Sequence, residues 1–72
     1  MTILRFLEEF LAMGYRIGLE HVGGGVYTEI TIQQFCEPGG KYLDLFVENV
    51  PSNHLRDPIE LDKLKSEISA KL

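Results

Sequence analysis

An α+β domain with the element order α-β-β-β-α is what this sequence predicts: a three-stranded antiparallel meander with two helices packed on one face. Three observations lead there. Apolar residues recur at helical spacing in residues 3–13 and again after Asp57. Between these segments, three stretches alternate with a period of two, the signature of half-buried strands. The breaks between the stretches are short and rich in glycine, so successive strands must turn back on one another as hairpins.

In the first helix, Ile3, Phe6, Leu7, Phe10 and Leu11 form one apolar stripe, with Arg5, Glu8, Glu9 and Ala12 on the other side. Thr2 suits the N-cap, and Gly14 suits the left-handed conformation that ends a helix. The strands are expected at Tyr15–Val22, Val26–Cys36 and Lys41–Val50, separated by Gly23-Gly24-Gly25 and Glu37-Pro38-Gly39-Gly40. Pro51–Arg56 reads as a polar connection. The last helix opens with Asp57-Pro58-Ile59-Glu60, an N-cap, a first-turn proline and a capping-box glutamate in sequence. Leu61, Leu64, Ile68 and Leu72 supply its apolar stripe, and Lys63, Glu67 and Lys71 are spaced for i,i+4 pairs.

Length and composition set the limits. Seventy-two residues, of which 44% are hydrophobic, make one domain spanning 1–72. A chain this short buries only about 60% of its unfolded surface, so small folds often add a disulfide, a metal or a second subunit. Cys36 is the only cysteine, which excludes an internal disulfide, and Cys36, His21 and His54 lack zinc spacing. The apolar core must suffice, or another copy must contribute as a homodimer. Arg5, Glu8 and Glu9 interrupt the first apolar stretch, so no secretory leader is expected, and no run of about 20 apolar residues exists to cross a membrane. With an unpaired thiol, the expected location is cytoplasmic.

The net charge is −4, and all of it lies in residues 1–50, since residues 51–72 are balanced. Nucleic-acid binders gather Lys and Arg on one face. This chain gathers acids, which argues against direct nucleic-acid binding and favours a basic protein partner.

Register sharpens that expectation. Ile17 and Leu19, Ile30 and Ile32, and Leu43, Leu45 and Val47 are the aliphatic sets that should share the face under the helices. A two-residue loop at Gly24-Gly25 sets Ile17 opposite Ile32. Pairing Cys36 with Lys41, and continuing without interruption, sets Ile32 opposite Leu45. The outer face then carries Phe35 beside Tyr42, a row of Arg16, Gln33 and Asp44, and a row of Gly18, Thr31 and Phe46. Beyond them come three adjacent carboxylates, Glu20, Glu29 and Glu48, and finally Val22, Tyr27 and Val50.

Like charges opposite one another on neighbouring strands are destabilising, so such a stripe favours an approaching cation. The simplest reading is a solvated face that keeps the sheet soluble. The functional reading is a partner-binding surface formed by Glu20, Tyr27, Glu29, Phe35, Tyr42, Asp44, Phe46 and Glu48, with the aromatics as anchors. A homodimer stacked face to face would bury the same aromatics but oppose the carboxylates. A hard cation on the three glutamates is not expected, because a flat sheet does not converge its side chains on one ion.

No residues are arranged for catalysis. Cys36 and His21 fall at opposite ends of the sheet, His54 lies in a loop, and Ser52, Ser66 and Ser69 occupy no nucleophile motif. The triple glycine precedes a strand rather than a helix and lacks the lysine of a phosphate loop. No enzyme activity and no cofactor are predicted.

The α-β-β-β-α order resembles the double-stranded-RNA-binding domain family over the whole chain, and that resemblance implies an alternative, a nucleic-acid-binding domain. The family binds through lysines at the start of its last helix. Here that segment is Asp57-Pro58-Ile59-Glu60-Leu61-Asp62, and the first helix offers only Arg5, so no binding residue carries over. In size and acidity the chain is similar to phage and mobile-element inhibitors, anti-CRISPR proteins among them, whose acidic surfaces occupy basic nucleic-acid channels. The reading favoured by the residues is a small acidic non-enzymatic protein-binding module. On that resemblance it would be an inhibitor of a larger, basic, nucleic-acid-handling host protein.

Overall fold

The computed structural model describes residues 1–37 and 39–72. Helix α1 (Ile3–Ala12) leads into strands β1 (Arg16–Val22), β2 (Tyr27–Cys36) and β3 (Lys41–Pro51), and helix α2 (Pro58–Lys71) closes the order. The strands form one antiparallel sheet in the order β1-β2-β3. The predicted α-β-β-β-α meander is the observed architecture.

The ends of the helices follow local chemistry. The Thr2 hydroxyl accepts the Arg5 N–H at 3.2 Å. At the other end of α1, Gly14 takes φ +89°, the Gly14 N–H donates to Leu11 and the Tyr15 N–H donates to Phe10. This is the Schellman geometry that turns a helix directly into a following strand. The Asp57 carboxylate caps α2 by accepting the Ile59 N–H at 2.9 Å. The expected capping box does not close. A 3₁₀ turn at Ser52–Arg56, read from sequence as a plain connection, brings the His54 carbonyl to the Asp57 N–H at 3.2 Å. Glu60 turns instead to His54 and Lys63, at 3.7 and 3.6 Å. The Lys63–Glu67 and Glu67–Lys71 pairs do not form either; the Lys71 ammonium sits 5.1 Å from the centre of the Phe46 ring.

The first hairpin keeps its predicted register, with Ile17 opposite Ile32 and Leu19 opposite Ile30. Positive φ at both Gly24 and Gly25 gives the mirror-image turn that matches strand twist. The second hairpin begins as predicted, from Cys36↔Lys41 to Gln33↔Asp44, although Pro38 of its turn lies outside the described residues. It then slips by one residue: Ile32 faces Phe46, not Leu45. Leu45 is the extra residue of a β-bulge.

That slip corrects several expected placements. Phe46 lies under the helices at 5% exposure, and Val50 is buried beside it, whereas both were expected on the outer face. Val47 moves the other way and is 52% exposed. Glu48 stands opposite Ile30 on the helical side, and Asn49 takes its place in the outer row. Volume explains the exchange. A regular ladder would have put Leu45 and Val47 beneath α2 and left an aromatic ring in water, and removing apolar area from water stabilises by roughly 25 cal/mol per Å².

The core is therefore Phe6, Phe10, Ile30, Ile32, Phe46, Val50, Leu61, Leu64 and Ile68. Phe6 and Phe10 meet edge to face at 5.1 Å. The one buried polar side chain among the described residues, Thr28, shares a 2.8 Å hydrogen bond with the Ser52 hydroxyl. Between the helices Lys65 pairs with Glu9, which Arg5 also approaches at 3.3 Å. The Lys65 ammonium first, and Arg5 second, hold the Glu9 carboxyl below the usual carboxylate range.

Both helices lie on one side of the sheet, α1 toward β1 and α2 toward β3. Among the described residues, no element covers the opposite face. The β2–β3 ribbon also runs past β1, because β1 begins opposite Gln33 while β2 continues to Cys36.

Candidate functional site

The uncovered face is assembled from alternate residues of all three strands. At the overhanging end, Phe35 and Tyr42 pair across β2 and β3 with ring centres 5.4 Å apart at 66°. Arg16, in the next row but at the far edge, reaches over the sheet and places its guanidinium 4.6 Å from the Tyr42 ring. Beneath it Gln33 donates to Asp44 at 2.6 Å. The middle row is low, with Gly18, Thr31 and Val47 in line. Next come Glu20 and Glu29 side by side, with Asn49 completing the row, and then Val22, Tyr27 and Pro51.

Six of the eight residues singled out from sequence share this face: Glu20, Tyr27, Glu29, Phe35, Tyr42 and Asp44. Phe46 and Glu48 do not, for the reason given by the bulge. The acidic stripe is consequently a pair of carboxylates and not a triplet, which lessens the repulsion across the sheet. Sequence reasoning missed Val47. Its signal was present in the run Leu43-Asp44-Leu45-Phe46-Val47, but that run permits two registers. Tyr27, Phe35 and Tyr42 are each close to half exposed. At about 3.3 Å per residue, Tyr27 and Phe35 stand roughly 26 Å apart along β2, so the face has an aromatic group at each end.

Other places on the molecule offer less chemistry. Cys36 is half-buried at the end of the ribbon, and His21 is exposed at the other end of the sheet, so no thiol–imidazole pair exists between them. Among the described residues, no three His, Cys, Asp or Glu side chains converge as metal ligands do. Glu48 lies instead in a cleft of 240 Å³ between β3 and α2, with Val50, His54, Glu60, Lys63 and Leu64. Glu60 there is already engaged by His54 and Lys63. Among the described residues, no helix is long and apolar enough to cross a membrane.

Comparison of the chain with protein families, with curated proteins and with solved structures finds no match.

Proposed function

We propose that this chain is a non-enzymatic protein-binding module whose contact surface is the uncovered sheet face. The observation that carries the reading is that face itself: three half-exposed aromatic rings and Val47 on rigid strands, flanked by Glu20, Glu29 and Asp44. Aromatic side chains on a rigid support lose little entropy on contact and dominate interface energetics. The carboxylates and the net charge of −4 fit a larger partner with a basic surface. Occupying a basic nucleic-acid channel, as small acidic phage or mobile-element inhibitors do, is the mode of action that fits this charge.

The test is affinity capture from a host lysate with the wild-type chain and with a Tyr27→Ala, Glu29→Ala, Tyr42→Ala variant, both verified as folded by circular dichroism. A large basic partner held by the wild type, lost by the variant and released by moderate salt supports the reading. Equal capture by both chains removes the outer face from consideration.

A further inference from the structure

The sheet has two free edges, and they are not alike. On β3 the bulge at Leu45 interrupts the ladder and Pro51 removes a donor, two devices that blunt an edge against pairing. On β1 there is neither a bulge nor a proline. Its seven residues pair with β2 in unbroken register, and five of them are exposed. An unprotected edge presents a row of backbone donors and acceptors that another strand can complete.

We infer that β1 is a self-pairing edge: two copies of this chain join β1 to β1 antiparallel about a two-fold axis through Gly18, giving one continuous six-stranded sheet. The register follows from the side chains. With Gly18 opposite Gly18 of the second copy, Arg16 faces Glu20 and Ile17 faces Leu19, each twice by symmetry. Opposite residues of an antiparallel pair point to the same face. The charges therefore meet on the outer face and the aliphatics on the helical face, where Leu19 is otherwise 42% exposed. Shifting the axis to Leu19 pairs Arg16 with Val22, Ile17 with His21 and Gly18 with Glu20, and every match is lost.

Helix α1 adds an independent observation. Its side toward α2 is marked by Glu9, which binds Lys65. At about 100° per residue, Leu4 and Leu11 stand roughly 140–160° round the helix from Glu9. Both are exposed, at 63% and 57%. Because α1 lies toward β1 and α2 toward β3, this leucine flank, turned away from α2, is on the β1 side of the helix. Joining the edges brings the two flanks together above the seam, with the half-buried Leu7 between them on each helix.

Five paired residues per strand supply about four to six backbone hydrogen bonds, and the leucines supply apolar burial. Arg16 leaves its exposed contact over Tyr42 to reach Glu20 of the second copy, where it also offsets the Glu20–Glu29 repulsion. Exposed contacts of either kind are weak, so this exchange fixes the register more than the strength. The pairing leaves the outer faces of both copies open and does not depend on the function proposed above.

The experiment is sedimentation velocity on the wild type, Arg16→Glu, Glu20→Arg, the double variant, and an equimolar mixture of the two single variants, each first shown to be folded. The wild type should dimerise with rising concentration. Each single variant opposes like charges twice and should weaken the dimer at least tenfold. The mixture should form a heterodimer, since one chain is then acidic at both positions, the other is basic at both, and each acid faces a base across the seam. The double variant should recover self-association. A Leu4→Glu, Leu11→Glu chain should stay monomeric. A wild type that remains monomeric to millimolar concentration overturns the proposal, as does a dimer indifferent to the single reversals or a mixture that fails to associate.

Discussion

Phe46 sits directly across from Ile32 in the β2–β3 ladder, and this single pairing decides what each face of the sheet presents. It exists because Leu45 takes no partner. The ring is thereby placed between β2 and the stripe of α2, while Val47 and Asn49 are turned to the open side.

Replacing Phe46 with alanine should destabilise the fold by about 3–5 kcal/mol, the range for a fully buried aromatic, and this is a large share of the stability of so small a domain. Val47→Ala should change it by no more than about 0.5 kcal/mol, as surface substitutions do. Urea denaturation of both variants checks the pair. A regular ladder requires the reverse order.

Gly14 is held at φ +89° with nothing within 4 Å of where a Cβ would stand, so the penalty for a side chain there is conformational and not steric. Gly14→Ala should cost about 1–2 kcal/mol. Gly18→Ala is the contrast. It lacks the positive φ, and its new Cβ meets Thr31 at an ordinary 3.8 Å, so it should be neutral or stabilise by up to about 1 kcal/mol through the unfolded chain. Thermal melts of the two variants distinguish them.

The link between Glu9 and Lys65 sets an acid dependence. Since the folded protein holds the Glu9 carboxyl below its unfolded value, the ionised form is favoured by folding. The contribution is complete above the unfolded value of about 4.3 and fades as the pH falls through the lower folded value. The stability difference between the wild type and Glu9→Gln should therefore be constant from pH 6 to 8 and shrink toward zero in acid. It should also diminish in high salt. Denaturant titrations at several pH values measure it, and a difference that grows on acidification contradicts the assignment.

The sequence carried the fold because its signals agreed at most positions. Thr2 and Asp57 were readable as caps, Gly14 as a helix stop and Gly24-Gly25 as a turn, and Ile30 and Ile32 could face only one way. Strand β3 was ambiguous. Leu43, Leu45 and Val47 form one alternating set, and Phe46 and Val50 belong to the other, so a period of two cannot choose between them. The choice depends on the volume available beneath α2, which no window along the chain reports. The capping box at Glu60 failed for a related reason: the turn that carries His54 to Asp57 is fixed by packing, with Ser52 bound to Thr28 at one end. Most of the candidate surface was legible because it lies on β1, β2 and the part of β3 before Leu45. The two misplaced residues, Phe46 and Glu48, both follow it.

The core cluster joins Phe6, on the first helix, to Ile68, on the last. During synthesis, the meander can form as soon as its hairpins emerge, because each strand pairs with its neighbour in sequence. Ile30 and Ile32 can then meet Phe6 and Phe10 at once, but must wait for Leu61, Leu64 and Ile68 before they are fully covered. At about 5–20 residues per second, the interval between the appearance of Ile32 and that of Ile68 is roughly 2–7 s. For that time α1 is the only cover the nascent sheet has, and the part of its aliphatic face that α2 will close stays open.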